Sequence, residues 1–200
     1  VMGSYSPAPV MTDSLMEKVQ KDVLDNIIKG LKAEGLYYRG IIFIGLMISD
    51  EDNYKILEFN VRFGDPETQS VLIRMESSLS EAMLATVKGE LADYDFKWSD
   101  EPSCTVVMAS GGYPNSYEKG FPITGFEAAE ENGAIVFHAG TSAKDGAIVN
   151  TGGRVLGITA KASDIQAAVN KAYEATEKIS WDGAFYRKDI AYRAIERLNK

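Results

Sequence analysis

The strongest signal in the chain is the stretch Leu57-Glu58-Phe59-Asn60-Val61-Arg62-Phe63-Gly64-Asp65-Pro66-Glu67-Thr68-Gln69. Its pattern predicts a strand that runs into a tight loop and then a helix. Successive side chains of a strand point to opposite faces, so Glu58, Asn60 and Arg62 should share one face. The opposite face carries the apolar residues Leu57, Phe59, Val61 and Phe63. A carboxylate, an amide and a guanidinium in one row pack poorly, and the row therefore indicates a binding surface.

The polar row has the chemistry of a metal and phosphate site. Carboxylate and amide oxygens suit Mg²⁺, which takes one or two protein ligands and completes its shell with water and phosphate oxygens. Glu58 and Asn60 are therefore candidate metal ligands, and Arg62 is a candidate ligand for phosphate or carboxylate. The alternative is that the row is the exposed polar face of an antiparallel sheet. For Arg62, that alternative is a surface ion pair of little energetic value.

Two further positions have both a functional and a structural interpretation. Asp65, Pro66 and Glu67 fit the N-cap, N1 and N2 positions of a helix. Asp65 could then be a helix cap, and Glu67 could be an acid favoured by the helix dipole, without any catalytic role for either residue. Arg154 follows two glycines, which permit close backbone approach, and arginine binds phosphate through two parallel hydrogen bonds. The alternative for Arg154 is a solvated side chain beside a hairpin.

The segment R-F-G-D-P-E-x-Q resembles the signature of the phosphoribosylamine–glycine ligase family, which has the ATP-grasp fold. Five other segments also resemble that family, in its order: Met2–Pro9, Ala109–Pro114, Phe137–Thr141, Gly152–Gly157 and Phe185–Ile190. The resemblance covers nearly the whole chain but only the carboxy-terminal half of the family protein. We therefore expect a fragment whose partner is the missing amino-terminal half, where the family's nucleotide-covering lid and adenine contacts lie.

The resemblance implies an ATP-dependent ligase that joins glycine to 5-phosphoribosylamine in purine biosynthesis. In ATP-grasp enzymes an E-x-N motif holds the Mg²⁺ or Mn²⁺ ions that bridge the ATP phosphates, and Glu58 and Asn60 match it. The family pattern also makes Arg62 a catalytic residue that contacts the nucleotide and stabilises charge on the transferred phosphate.

The resemblance assigns the substrate as well. Asp65 would be catalytic and would orient the amine, Glu67 would contact the substrate, and Arg154 would anchor the 5′-phosphate. Two other functions remain open at this point. The chain could be a non-catalytic module that binds a ligand or packs against a partner, or it could belong to an ATP-grasp ligase with another substrate.

Composition limits the remaining classes of function. The chain has 200 residues, of which 45% are hydrophobic and 25% charged, as is typical of one or two folded domains. Its net charge of -8 argues against a nucleic-acid partner, and no apolar run reaches the length of a membrane span. A single cysteine, Cys104, excludes an internal disulfide and fits a reducing compartment, so we expect a cytoplasmic protein.

The periodicity of apolar residues predicts an α+β fold, with an antiparallel sheet and helices over residues 1–98 and a small α+β domain over residues 99–200. The resemblance implies that residues 1–98 form the second half of an ATP-grasp domain. Helices are predicted at Asp13–Glu34 after an N-cap at Thr12, from Pro66, at Leu79–Lys88, from a capping box at Ser163, and from Lys188. Strands are predicted at Gly40–Ser49, Tyr54–Phe63, Cys104–Ala109, Ala134–Ala139, Ala147–Asn150 and Arg154–Ala160. The first two strands should form a hairpin through Asp50–Asn53. His138 is predicted to be a core residue.

Overall fold

The computed structural model describes residues 1–49 and 53–199. Its strands are β1 (Gly3–Ser6), β2 (Phe43–Ile48), β3 (Tyr54–Asn60), β4 (Ser103–Ala109), β5 (Ile135–His138), β6 (Thr141–Lys144), β7 (Ala147–Asn150) and β8 (Arg154–Lys161). Its α-helices are α1 (Asp13–Val19), α2 (Asp25–Ala33), α3 (Glu67–Leu72), α4 (Leu79–Lys88), α5 (Phe126–Glu130), α6 (Ile165–Thr176) and α7 (Tyr192–Leu198). Except for Asn53, the predicted hairpin turn lies outside the described residues.

The predicted α+β class is confirmed, and the chain forms two compact units. The first unit consists of Val1–Pro7, Asp65–Met75 and Trp98–Lys200. The second unit consists of Ala8–Gly64 and Glu76–Lys97. The division into domains 1–98 and 99–200 stays a prediction.

An antiparallel sheet in the order β1-β4-β8-β5 forms the centre of the first unit. The central strand β4 is buried along its whole length because helices cover both of its faces. Cys104 and Met108 belong to the hydrophobic core that includes α6. Ser103, on the opposite face, donates a hydrogen bond from its hydroxyl to the carbonyl of Ser70 in α3. This sheet therefore fixes the position of α3, the helix that the R-F-G-D-P-E segment enters.

The second unit packs a helix against the β2–β3 hairpin. The helix runs through α1, a π-helical turn at Gln20–Leu24 and α2, so the single predicted helix is confirmed apart from that turn. The predicted N-cap is also confirmed, because Thr12 Oγ1 accepts a hydrogen bond from the Leu15 amide at 3.2 Å. A small core joins the helix to the sheet: Leu15, Val19 and Val23, with Ile44, Leu46, Ile48 and Tyr54 packed against them.

Helix boundaries in the second half of the chain correct two predictions. The N-cap of α6 is Asp164 rather than Ser163, since the Asp164 carboxylate accepts from the Ala167 amide at 2.8 Å. The last helix begins at Tyr192 rather than near Lys188, and Leu198 at its end is exposed. Ser163 and Asp164 are adjacent polar residues, and either type of side chain can cap a helix. The sequence pattern therefore does not decide which of the two is the N-cap.

Candidate functional site

The candidate metal ligands lie on β3 of the second unit. Glu58 pairs with Gly45 of β2, and Asn60 pairs with Phe43. Cross-strand partners share a face, and the intervening pair of Ile44 with Phe59 places Ile44 on the side of the helical core. Glu58 and Asn60 therefore occupy the face of the hairpin that points away from that core.

Asn60 has an unusual amide. Its Nδ2 is buried and has no hydrogen-bond partner. Such atoms are rare in folded proteins, and a missing ligand or water is a common reason for one. Together with the Glu58 carboxylate, the Asn60 amide gives the two oxygen ligands that a magnesium site needs from protein.

The apolar side of β3 is not buried as a regular strand would bury it. Leu57, Phe59 and Val61 are 60%, 51% and 71% exposed. A β-bulge breaks the alternation, because Gly45 pairs with Glu58 whereas Leu46 pairs with Ile56. The extra residue at the bulge is Leu57, and the helix packs mainly on β2.

Arg62 departs from the predicted geometry. The strand ends at Asn60, so Arg62 lies in a bend and does not extend the row of Glu58 and Asn60. Its guanidinium donates from Nη1 to the carbonyl of Phe63 at 2.9 Å, and the side chain is exposed. The prediction of a strand to residue 63 was wrong because the apolar alternation continues through the loop, where no partner strand is paired.

The structure brings together two predicted residues of the first unit, Asp65 and Arg154. Arg154 Nη2 lies 2.6 Å from Asp65 Oδ2, and Arg154 Nη1 lies 3.2 Å from the Asp65 carbonyl. The Asp65 side chain is 61% exposed and the Arg154 side chain 26% exposed, so solvent reaches the pair. Arg154 begins β8 as predicted, and this start of the strand points it toward Asp65.

Asp65 is not a helix cap. The N-cap position of α3 is Pro66, and no side chain caps the helix. The capping prediction was wrong because the carboxylate is engaged by Arg154 instead. Helix capping therefore does not explain Asp65, which instead forms a charged pair with Arg154 on the surface of the first unit.

The glycines before Arg154 serve packing. A Cβ on Gly153 would collide with the ring of Tyr113, and one on Gly152 would lie 2.9 Å from the Cα of Gly140. The sequence predicted that these glycines let a phosphate approach the backbone. In the structure they instead make room for Tyr113 and Gly140 of the first unit.

Hydrogen bonds between serines hold α3 in place. Ser4 Oγ donates to the Pro66 carbonyl at 2.8 Å and lies 2.9 Å from Ser70 Oγ. Ser70 is almost completely buried and donates to the carbonyl of Glu67 at 3.0 Å. Glu67 is half-buried in the first turn of α3, which fits both its predicted substrate contact and the dipole explanation. β1, which carries Ser4, is a strand that sequence reasoning missed, since Gly-Ser-Tyr-Ser has no apolar alternation.

A cavity of about 90 Å³ adjoins the Asp65–Arg154 pair in the first unit. Its other lining residues are Pro66, Gln69, Val107, Ala139, Leu156 and Gly157. Sequence reasoning did not select Gln69, although this residue closes the R-F-G-D-P-E-x-Q segment. The cavity therefore combines one anion, one cation and one amide above an apolar floor.

Other titratable groups do not add to this site. His138 is exposed rather than in the core, with its ring stacked on Phe126 and Nδ1 at 3.0 Å from Thr141 Oγ1. It lies at the end of edge strand β5, which explains why the core prediction was wrong. Cys104 is fully buried, and burial raises the pKa of its thiol to about 12.

Residues 1–49 and 53–199 contain no group of three histidine, cysteine, aspartate or glutamate side chains able to hold a metal ion. A magnesium site there would depend on Glu58 and Asn60 with oxygens from a ligand. No helix in these ranges is long and apolar enough to cross a membrane.

Comparison with known proteins identifies relatives along most of the chain. Residues 1–68 match the ATP-grasp (A) domain of phosphoribosylglycinamide synthetase, and residues 103–193 match its C domain. The chloroplastic phosphoribosylamine–glycine ligase of Arabidopsis thaliana is 48% identical over 200 residues, covering 98% of this chain and 38% of the relative. The chain thus spans less than half the length of that relative.

Solved structures agree with the sequence matches. The phosphoribosylamine–glycine ligase of Thermotoga maritima superposes with a TM-score of 0.82 at 36% identity, covering 95% of this chain and 46% of that one. The biotin carboxylase domain of Hydrogenobacter thermophilus 2-oxoglutarate carboxylase, solved with MgADP, has a TM-score of 0.62 at 16% identity, covering 99% of this chain and 46% of that one. The second likeness concerns the fold alone, whereas the first extends to sequence over nearly the whole chain. The chain belongs to the phosphoribosylglycinamide synthetase family.

Proposed function

We propose that the chain contributes to an ATP-dependent ligase that joins glycine to 5-phosphoribosylamine, giving glycinamide ribonucleotide in purine biosynthesis. The observation that supports this most strongly is the 48% identity to a phosphoribosylamine–glycine ligase over 200 residues. The paired Asp65 and Arg154 beside a cavity add chemical support, because the substrate carries an amine and a phosphate.

The reaction has two steps. The carboxylate oxygen of glycine attacks the γ-phosphorus of ATP, and the bond to the bridging oxygen breaks, which gives glycyl phosphate and ADP. The amine of phosphoribosylamine then attacks the acyl carbon, inorganic phosphate leaves, and the amine loses a proton. Protein residues must neutralise phosphate charge in the first step and orient the amine in the second.

Glu58 and Asn60 are proposed to hold Mg²⁺ or Mn²⁺. A bound divalent ion neutralises and aligns the phosphate oxygens of the nucleotide. The assignment is supported by the side-chain oxygens of Glu58 and Asn60, which share the face of β3 that points away from the helical core. Arg62 is proposed to contact the nucleotide and to stabilise charge on the transferred phosphate. Its exposed side chain bonds only locally through Nη1, to the Phe63 carbonyl of its own bend.

Asp65 and Arg154 are proposed to hold the ribonucleotide amine. Arg154 uses part of its guanidinium on Asp65 and on the carbonyl of Val1, and the remaining N–H groups are available to a phosphate. The second carboxylate oxygen of Asp65 is available to accept from the amine. Glu67, one helical turn away from Ser70, is proposed as a further substrate contact.

Further protein is proposed as a partner of the second unit. That unit exposes several large apolar side chains, namely Leu36, Tyr37, Met47, Leu57, Phe59, Val61, Leu84 and Val87. Exposed apolar surface of this extent typically marks an interaction site. We propose that the part of the relatives outside the matched region covers it. A cytoplasmic location is likewise proposed.

The test is ADP release by the chain with MgATP, glycine and phosphoribosylamine, alone and after addition of the amino-terminal part of the Thermotoga relative. Release that requires glycine and phosphoribosylamine supports the ligase. Release that prefers another amine would favour a different ATP-grasp ligase. Binding of ribose 5-phosphate without ADP release in either mixture would favour a non-catalytic binding module.

A further inference from the structure

Ser110, which directly follows β4, holds the two residues that precede Arg154. Its amide donates to the Gly153 carbonyl at 2.8 Å, and its hydroxyl donates to the Gly152 carbonyl at 2.8 Å. The residue is only 1% exposed, so little solvent competes for these bonds. One buried side chain and its own backbone thus fix both carbonyls of the segment that leads into β8.

Asn150, the last residue of β7, determines where the Ser110 hydroxyl points. The residue is fully buried, and its Oδ1 accepts from the Phe121 amide at 2.8 Å while Nδ2 donates to the Glu118 carbonyl at 2.9 Å. A backbone amide only donates and a carbonyl only accepts, so these two partners fix the orientation of the side chain. The other hydrogen of Nδ2 is donated to Ser110 Oγ at 2.8 Å. The hydroxyl hydrogen of Ser110 is therefore left for the Gly152 carbonyl.

A β-bulge sets the face of β8 from which Arg154 projects. Side chains alternate along a regular strand, so Arg154, three residues before Gly157, would lie on the opposite face from it. Both residues nevertheless line the cavity beside Asp65. The reason is that the pairing of β8 with β4 slips by one residue, with Val155 as the extra residue and Ala109 paired with Arg154. Such a slip exchanges the two faces, and it brings Arg154 to Asp65.

The bonds of Ser110 lie just beyond this bulge and hold it in place. The pair of Ala109 with Arg154 is the last of the β4–β8 ladder. If the ladder simply ended there, the strand could slip back by one residue into regular pairing, and Arg154 would turn away from Asp65. The two bonds from Ser110 to the preceding glycines continue the pairing past the bulge, and so they oppose that slip.

We propose that Ser110, oriented by Asn150, is a positioning residue that aims Arg154 at the phosphate of the substrate. The inference rests on the proposed function, because it takes Arg154 to be the phosphate ligand. It adds the device that keeps this arginine on the correct face of the sheet. A side chain that is always in its binding geometry binds more tightly than one that reaches it part of the time.

The experiment combines NMR of the arginine side chains with calorimetric binding of D-ribose 5-phosphate and thermal unfolding. Ser110→Ala removes the hydroxyl, whereas Ser110→Thr keeps it. Thr176→Val is the matched control, because it removes another buried hydroxyl of the first unit, one that donates to a carbonyl within α6. The heteronuclear NOE of Arg154 Nε reports how well ordered the side chain is without any ligand. Arg187 Nε, which is bound to a neighbouring carboxylate, is the internal reference.

Ser110→Ala is expected to lower the NOE of Arg154 and to leave that of Arg187 unchanged. If Arg154 then keeps its binding geometry in about a fifth of the molecules, binding of ribose 5-phosphate weakens about fivefold. Ser110→Thr should restore both values. Thr176→Val should change neither, although it should lower the melting temperature as Ser110→Ala does. In an Arg154→Ala background, Ser110→Ala should weaken binding no further, because its effect passes through the missing arginine.

Three results would overturn the inference. An unchanged NOE of Arg154 in Ser110→Ala would show that Ser110 does not restrain this arginine. Equal weakening of ribose 5-phosphate by Ser110→Ala and Thr176→Val would make Ser110 a structural residue. A further loss of binding when Ser110→Ala is added to Arg154→Ala would mean that Ser110 acts by another route.

Failure of the proposed function would look different. A parent chain that does not bind ribose 5-phosphate would contradict the phosphate role of Arg154, and the ADP-release assay would test the ligase itself. The NOE is measured without ligand, so it decides in either case whether Ser110 positions Arg154.

Discussion

Arg154 Nη2 lies 2.6 Å from Asp65 Oδ2, and 89 residues separate the two along the chain. The contact joins the start of β8 to a residue two positions before α3, so it unites two segments that the family pattern treats as separate motifs. Each charge neutralises the other while the pair is closed. A ligand with an amine and a phosphate offers a new partner to both charges at once, whereas free phosphate offers a partner to Arg154 alone.

Arg154→Ala is expected to weaken binding of ribose 5-phosphate by about tenfold to a hundredfold, since hydrogen bonds to charged groups are among the stronger ones. The free energy of unfolding should change by less than about 1 kcal/mol, because solvent screens the pair. The matched control is Arg187→Ala, which breaks another pair at 2.6 Å, to Asp189. Equal losses of binding in the two variants, measured by calorimetry, would contradict the role of Arg154.

Asn60→Ala is expected to weaken binding of Mn²⁺ in the presence of ATP, measured by electron paramagnetic resonance. Stability should change by no more than about 0.5 kcal/mol, because the buried Nδ2 of Asn60 makes no hydrogen bond that the substitution could break. Turnover should fall sharply in a protein that joins this chain to the amino-terminal part of a relative. Asn170→Ala, at an exposed position of α6, serves as the control. Unchanged Mn²⁺ affinity in Asn60→Ala would remove this residue from the metal ligands.

Gly125→Ala is expected to destabilise the first unit by about 3 kcal/mol or more, because overpacking adds to backbone strain. Gly125 has φ of +94°, and a Cβ there would collide with the carbonyl oxygen of Lys178. Gly146→Ala is the control, with φ of +81° and no atom within 4 Å of the added Cβ, and should cost only about 1 kcal/mol. Urea unfolding of both variants separates collision from backbone strain, and similar costs would show that the collision is relieved by a small shift.

Cys104 is expected to resist alkylation by iodoacetamide at pH 8 in the folded chain and to react after unfolding. Its pKa of about 12 lies above that of an unfolded thiol, near 9. The unfolded chain therefore loses this proton first, and the stabilising contribution of the neutral thiol, complete below pH 9, is lost as pH rises toward 12. Over that window Cys104→Ala should reduce the pH dependence of the unfolding free energy by about 1.4 kcal/mol per pH unit. An identical slope in the two proteins would show that the thiol ionises equally in both states.

Local chemistry made much of this fold predictable. The cap at Thr12, the helix ending at Lys88 before Gly89 and the strand at Ala147–Asn150 all follow from nearest-neighbour patterns. Strands β1 and β6 were not predicted, because Gly-Ser-Tyr-Ser and Thr-Ser-Ala-Lys have almost no apolar content. The partner of β1 is β4, far along the chain, and such a non-local partner leaves no trace in a short window. The partner of β6 is the adjacent strand β7, so β6 was missed because of its polar sequence alone.

The candidate site was predictable in its residue types but not in its arrangement. The residues from Glu58 to Asp65 stood out because their chemistry conflicts with simple packing. The β-bulge at Leu57 and the end of β3 at Asn60 are set by pairing and so were not visible, and the end of the strand takes Arg62 out of the row. The same holds for Ser110 and Asn150, which are 40 residues apart in the chain and meet only in the folded unit.

The pairing of β1 with β4 has a consequence for synthesis. Ser6 leaves the ribosome 97 residues ahead of its partner Ser103, which at bacterial and eukaryotic elongation rates is a delay of roughly 5–20 s. During that interval β1 has no neighbour, and the sheet of the first unit cannot close. The second unit, whose helix and hairpin lie between the two strands in the chain, can fold meanwhile. The polar sequence Gly-Ser-Tyr-Ser then lowers the risk of aggregation during synthesis, because an unpaired strand with few apolar side chains is a poor template for other chains.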